Sequence, residues 1–346
     1  MIFYVALVAL LALWRSKFCL RGFNENYLTK EGTDAVRGIF ILLIFAAHFN
    51  GYVDLTIAPL DIFYQKFWRA MGQAVVTCFL FYSGYGVALS AKEKGDAYVR
   101  AMPQKRILPT LLIFDCSVIL YLLLQLCRGR SYHVKDLVLG LLGWSSFGNS
   151  NWYIFSILGC YLISWIVLRG RALDRVAVAR ISVSTVVFIL FLFCAGRPAY
   201  CYNTLLCYPM GMWYTLYRDK IDRFMAKNTH YWPVLALTGA AYVVAHKFWE
   251  PPSSPVYMLT MLLFTLCVVF LTMKIQLKSP ALIYCGKHLQ GLYLIHRLPF
   301  IVLGDILPWK SGPGIYLYFA LGLVGVFLFE AAFTKAVKFL QGSTAK

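Results

Sequence analysis

Apolar residues in this chain come in long unbroken runs, and short polar stretches separate one run from the next. A helix needs roughly 20 predominantly apolar residues to cross the ~30 Å hydrocarbon core of a bilayer. Ten segments read as core spans, near 37–53, 71–90, 106–127, 151–168, 181–196, 200–217, 231–249, 256–273, 288–307 and 314–335. A further run, 1–14, covers only about 21 Å as a helix. It has no basic leader and no small-residue cleavage site after it, which argues against a signal peptide. It reads as a tilted helix, an interfacial helix or an extra span. The pattern predicts an all-α, polytopic membrane helical protein with about ten core transmembrane helices plus a short apolar N-terminal helix.

Charge turns this list of spans into a topology. The 33 Lys and Arg residues outnumber the 15 Asp and Glu, for a net charge of +18. In a soluble protein such a balance suggests a nucleic-acid partner. Here no base-reading motif accompanies it, and the basic residues cluster between apolar runs, so no nucleic acid is expected. With the segment before the first core span placed inside, the inner segments hold 24 Lys and Arg. The outer segments hold only Lys66, Arg69, Arg128, Arg130, Lys135, Arg197, Lys247 and Lys310, and Arg297 falls within a span. An excess of that size orients a membrane protein, so both ends of the core are expected in the cytoplasm. The longest outer loop, 128–150, contains an apolar piece at 137–144 that suits an interfacial or re-entrant helix over a cavity.

Composition adds one exclusion. Sixty per cent of residues are hydrophobic, 14% are charged and mean hydropathy is +0.66, outside the range of soluble domains. The ten cysteines lie mostly inside apolar runs with no C-x-x-C spacing, and read as reduced, buried small residues, not as a disulfide framework or zinc site.

Candidate chemistry collects where charge enters an apolar run. Asp34 and Arg37 stand at the mouth of the first core span, and His48 lies inside it. If the span is helical, Arg37, Ile41, Ile44 and His48 form one stripe with an offset of about 20° and a rise of roughly 16 Å. An ionisable ring there belongs against protein or a wet cavity, either as a packing hydrogen bond or as a functional group. His296 and Arg297 form a second such pair, in the ninth span. Imidazoles exchange protons near neutral pH, which suits a general base that activates a hydroxyl. Arg100, Lys105 and Arg106 lie at the inner rim, where orientation alone accounts for them and where an anionic phosphate would also arrive. Asp115 and Glu330 are intramembrane carboxylates, candidates for substrate contact or for a helix–helix hydrogen bond. Asn151, Trp152 and Tyr153 open the fourth span as an aromatic belt or as a sugar-binding edge. Ser83 to Gly86 reads as close helix packing, or as a kink shaping a tunnel. No G-x-S-x-G elbow, Gly-rich phosphate loop, H-E-x-x-H or H-x-x-x-x-D box occurs, and no metal is expected.

These landmarks fall in a familiar order. D-A-V-R-G-I at 34–39, with ten residues between Arg37 and His48, resembles the opening signature of the acyltransferase-3 family of integral membrane acyltransferases. F-L-F-Y-S-G-Y-G at 79–86, R-I-L-P at 106–109, N-W-Y-I at 151–154 and Y-L-I-H at 293–296 are similar to its later segments. The resemblance covers roughly 34–333. One departure is Pro103, where the family often carries a second arginine three residues before Arg106, so Lys105 or Arg100 would substitute.

The resemblance implies three parts: 1–33 as the apolar helix and a basic cytoplasmic segment, 34–338 as an acyltransferase-3-like transmembrane domain, and 339–346 as a cytoplasmic tail. It implies a stand-alone form that moves an acyl group, most simply acetyl, from cytoplasmic acyl-CoA to a hydroxyl of a cell-surface carbohydrate or its lipid-linked precursor. His48 would be catalytic with Arg37 and Asp34. Arg106, Lys105 and Arg100 would hold the donor, while Asp115, Asn151, Trp152, Tyr153, His296 and Arg297 would face the substrate. Acetyl-CoA is then the donor, the bacterial inner membrane the location, membrane lipids the surroundings, and a homo-oligomer compatible. The rival expectations are a transporter or flippase for a lipid-linked sugar and, more remotely, a sensor domain. Paired interrupted spans in the two halves, common in secondary transporters, are not visible here.

Overall fold

The computed structural model describes residues 1–55, 59–309 and 311–343, with side chains described except at 59–60 and 340–343. Lys310 of the outer set and the last three residues of the expected tail lie outside the described residues. Helix makes up 76% of the described residues. The helices are α1 (Ile2–Leu13), α2 (Lys30–Phe49), α3 (Pro59–Met71), α4 (Ala74–Met102), α5 (Leu108–Cys127), α6 (Val134–Leu141), α7 (Trp152–Leu168) and α8 (Arg175–Cys194). They continue with α9 (Cys207–Met225), α10 (Asn228–Lys247), α11 (Pro255–Thr272), α12 (Pro280–Lys287), α13 (Leu289–Ile295), α14 (Arg297–Ile306) and α15 (Gly314–Ser343). Two short strands, β1 (Lys17–Phe18) and β2 (Ile275–Gln276), pair antiparallel.

Helix occupies each of the ten expected regions, but by length and composition only five described stretches suffice to cross a membrane. They are Lys30–Phe49, Asp61–Cys127, Arg175–Cys194, Pro255–Thr272 and Gly314–Phe339. The all-α membrane class holds, therefore, whereas the count of ten rests on helices that are shorter, more polar or interrupted. Two regions differ from their expected form. The sixth starts late, at Cys207, because 199–206 forms a 3-10 turn and further turns. The ninth is broken at His296 into α13 and α14. Pro299 supplies the cause, since it has no N–H for the carbonyl four residues back and its ring crowds that carbonyl.

Segments counted as inner meet at one end of the bundle. Lys274 Nζ donates to Gly22 O and to Asn228 Oδ1, and Gly170 N donates to Asp96 Oδ1 at 2.9 Å. Segments counted as outer meet at the other end, where Arg128 pairs with Asp305 at 2.7 Å and His246 Nε2 donates to Ala70 O at 3.0 Å. The α1 run, left open by its length, passes between these ends. It starts where Met1 meets Tyr316 (3.1 Å), lies against α2 through Tyr4 Oη and Leu42 O (3.0 Å), and leads into β1.

Glycines set the closest helix contacts. A Cβ at Gly84 would lie 1.9 Å from Tyr208 O, and one at Gly211 would lie 2.1 Å from Phe81 O, so α4 and α9 touch backbone to backbone. The same device joins α2 to α12, with Gly38 against Leu282 O and Gly286 against Asp34 O. Without hydrophobic drive between helices in lipid, close approach of small residues is what packs them. The Ser83 to Gly86 break is thus a packing feature, and α2 is pinned beside Asp34 and Arg37.

Candidate active site

α2 carries the two polar points of the site at opposite ends. Thr29 caps the helix, its hydroxyl accepting from Gly32 N at 3.3 Å, and Glu31 in the first turn suits the helix dipole. One turn in, Arg37 Nη2 donates to Asp34 Oδ1 at 2.5 Å, and Arg37 Nε donates to Thr33 O at 3.3 Å. The Asp34 carboxylate is buried while the guanidinium is partly open, so the acid fixes the base and leaves its far side free.

Three turns on, His48 meets His296. His48 Nδ1 and His296 Nε2 are 2.5 Å apart, and the rings lie 16° from parallel. The backbone sets the protons on this pair. His296 Nδ1 sits 2.7 Å from Tyr293 O, and a carbonyl only accepts, so this nitrogen carries its hydrogen. His296 Nε2 is then the acceptor, His48 Nδ1 the donor, and His48 Nε2 is left with a free lone pair. The network assigns these tautomers. His296 is fully buried with Phe45 stacked on it, whereas His48 is partly accessible.

A loop closes over the pair. α6 forms within the outer 128–150 segment, as its apolar piece suggested, and the chain after it turns back through Gly148 at φ +104°. Gln125 Nε2 donates to Phe147 O at 2.7 Å, and Asn151 Nδ2 donates to Gly143 O (2.7 Å) and Ser145 O (3.1 Å). This brings Ser150 Oγ to 3.4 Å from His48 Nδ1. Asn151 is itself buried, so its amide holds the loop.

A cavity of about 290 Å³ opens at the Arg37 end of the site and extends to Tyr153 and Tyr293, next to the imidazole pair, though neither His48 nor His296 lines it. Arg37 and Lys287 line it, Ser83 and Tyr161 flank it, and Tyr153 and Tyr293 line it as well. The ring centroid of Tyr293 is 5.9 Å from that of His296 and 5.4 Å from that of Tyr153. Arg106 stands beside it, its Nη1 donating to Tyr98 Oη at 3.0 Å and its guanidinium 5.0 Å from the Tyr161 ring centroid. Arg100 is an exposed partner of Asp96 at 2.5 Å, and Lys105 is exposed. Neither lines the cavity.

The remaining candidates are dispersed. Trp152 packs on Tyr153 and Tyr200 at the head of α7. Asp115 has one buried carboxylate oxygen without a hydrogen bond to a described residue, and no bond joins it to the imidazoles. Glu330 accepts from His288 Nδ1 (2.9 Å) and Thr334 Oγ1 (2.7 Å), beside a second cavity of about 320 Å³. Arg297 Nε donates to Tyr52 Oη at 3.0 Å. Sequence reasoning missed Ser150 and Lys287. Ser150 carries no signal of its own, and Lys287 is indistinguishable in sequence from the other basic residues of its segment.

Apolar helices of crossing length around a pair of partly enclosed imidazoles define an integral membrane protein with the equipment for proton transfer. The family model described as an acyltransferase domain matches residues 30–334, and the chain belongs to the acyltransferase-3 family. No curated protein and no solved structure matches it.

Proposed function

We propose that this membrane acyltransferase is an O-acyltransferase of the bacterial inner membrane, taking an acetyl group from cytoplasmic acetyl-CoA to a hydroxyl of a cell-surface carbohydrate or its lipid-linked precursor. The observation that carries the reading is the cavity lined by Arg37 and Lys287 at one end and by Tyr153 and Tyr293, beside the imidazole pair, at the other. Donor phosphates suit the basic end, because guanidinium and ammonium groups bind phosphate by charge-assisted hydrogen bonds. The thioester arm then follows α2 over the rise of about 16 Å between Arg37 and His48. The acceptor approaches from the outer side, past the 142–150 loop.

His48 Nε2 removes the proton of the acceptor hydroxyl as its oxygen bonds to the thioester carbonyl carbon. The tetrahedral intermediate collapses, the C–S bond breaks, and the departing sulfur takes the proton back from Nε2. Oxygen has exchanged for sulfur on the acyl carbon, and one proton has moved from hydroxyl to thiol. His296 accepts the Nδ1 hydrogen of His48 throughout, holding the ring and favouring its transient positive charge. A general base of this kind contributes about 10²- to 10⁴-fold.

Turnover of acetyl-CoA by the purified full-length chain in detergent tests the reading. Thioester consumption with an ester-linked acetyl on a glycan acceptor supports it. A protein that binds a lipid-linked sugar but leaves the thioester intact is a flippase instead. Orientation is tested separately by a cysteine at Lys135, an exposed residue of the outer loop. Labelling from the cytoplasmic side alone would reverse the topology.

A further inference from the structure

We infer that the acceptor carries a negative charge, a carboxylate or a phosphate, and that Arg297 receives it. This rests on the acyl-transfer reading above and adds the chemical class of the acceptor. Arg297 directly follows His296 in the chain, and its side chain reaches Tyr52, four residues beyond His48. Its Nε is committed to Tyr52 Oη, and its guanidinium lies 5.8 Å from the Tyr52 ring centroid. Its two terminal nitrogens donate to no described residue. The residue as a whole is only half-buried.

The arginines divide into those with a carboxylate partner and those, Arg106 among them, held by tyrosine instead. Arg37, Arg100, Arg128 and Arg218 each pair with a carboxylate, from Asp34, Asp96, Asp305 and Asp222. Among the described residues, no carboxylate pairs with Arg297. The one acid on its own helix, Asp305, is taken by Arg128. A cation within a membrane protein without a counter-charge is costly and marks a substrate path. Removing its water on acceptor binding raises that cost unless the acceptor supplies the opposite charge. A neutral sugar hydroxyl cannot. The free pair of nitrogens forms a planar fork, which matches the two oxygens of a carboxylate or phosphate, and Tyr52 holds the fork by its Nε edge.

The test uses purified full-length protein in detergent with acetyl-CoA and three acceptor sets: methyl glucuronide and galacturonide, the corresponding sugar 1-phosphates, and the neutral methyl glycosides. The expected result is acetyl transfer to at least one charged set in preference to the neutral one. The charged set preferred separates a carboxylate from a phosphate source. For Arg297→Gln the KM for that acceptor should rise at least about tenfold, equivalent to ~1.4 kcal/mol. The KM for acetyl-CoA should move by less than about twofold, a change below ~0.5 kcal/mol, and Arg297→Lys should recover part of the loss. Equal or better transfer to the neutral glycosides, or transfer to no charged acceptor, overturns the assignment. So does a parallel fall in kcat for every acceptor and for water at constant acceptor KM, because the guanidinium would then be serving the reacting carbonyl. Hydrolysis of acetyl-CoA by the unsubstituted protein keeps the two readings apart. If it proceeds while the charge preference fails, only the acceptor class is wrong; if it is absent, acyl transfer itself falls.

Discussion

At one end of α2, Arg37 meets a carboxylate three residues away in the chain; at the other, His48 meets an imidazole 248 residues away. The first pair is a property of the helix, since residues three apart share a face whatever surrounds them. The second exists only when α13 and α14 are packed on α2, and its proton arrangement depends on the Tyr293 carbonyl at the helix break. A charge that binds can therefore be prepared locally, while a proton-transfer pair has to be assembled by the whole bundle. Substitutions at the two ends should fail in different ways, one in donor affinity and the other in rate.

The largest effect is expected at His48. His48→Ala should lower acetyl transfer by about a hundredfold or more, roughly 3–5 kcal/mol of barrier. A lost packing hydrogen bond in a membrane costs nearer ~1 kcal/mol of stability. Size-exclusion profile and thermal unfolding of the purified variant, run beside the transfer assay, separate the two. A well-folded dead protein is the expected outcome, and near-normal transfer at normal expression would remove His48 from the mechanism.

His296 comes next, because it acts through His48. Its loss leaves a base with free choice of tautomer, and we expect His296→Ala to reduce kcat by about ten- to a hundredfold, less than the loss of the base itself. His296→Gln should recover part of this, since a side-chain amide oxygen can accept the His48 Nδ1 hydrogen. A purely structural His296 predicts no such rescue of rate, only a change in unfolding temperature.

The difference between the two ends also sets what was legible in sequence. The helical class and the R-x10-H stripe follow from periodicity and residue spacing, which are local, and the expected inner position of Asp34 and Arg37 rests on charge alone. The closing loop was foreseeable from the apolar piece at 137–144, but Ser150 was not, because its approach to His48 depends on the turn at Gly148 and the Asn151 clamp. Pairing of His48 with His296 was equally out of reach. Each imidazole stood out alone, but the ninth region read as one continuous span. Pro299 was visible there, yet its consequence, a break at His296 that points the ring inward, is a tertiary outcome. Asn151, read as an outward sugar contact, is turned in by carbonyls that only the folded loop provides.

At the inner end, Asp34→Asn keeps the shape of the carboxylate and removes its charge. Arg37 would lose its one ionic partner and with it the fixed aim of its free side. We expect the KM for acetyl-CoA to rise about tenfold, ~1.4 kcal/mol, with kcat at saturating donor little changed. A drop in kcat at constant KM would mean that this pair acts on the chemistry, and the contrast between the ends of α2 would collapse.

Arg106 gives the smallest and most discriminating effect. It resembles Arg37 in charge and in facing the inner rim, but its setting differs. Arg106 has no carboxylate partner among the described residues and is held by Tyr98 Oη and the face of Tyr161. Tyr161 lines the cavity that Arg37 also lines, whereas Arg106 stands one ring behind it. Its charge therefore reaches a bound phosphate at longer range than that of Arg37, across the Tyr161 ring. Exposed or screened charge pairs are worth about 0–1 kcal/mol, so Arg106→Ala should raise the donor KM only about two- to fivefold. Added salt should erase most of that difference, because screening grows with the separation of the charges. The donor KM of Asp34→Asn should respond less to salt, its effect arising from a charge lost at 2.5 Å from Arg37, on a carboxylate that is itself buried. If Arg106→Ala instead matches Asp34→Asn in size and resists salt, donor recognition is spread along the rim, and Arg37 is one contributor among several.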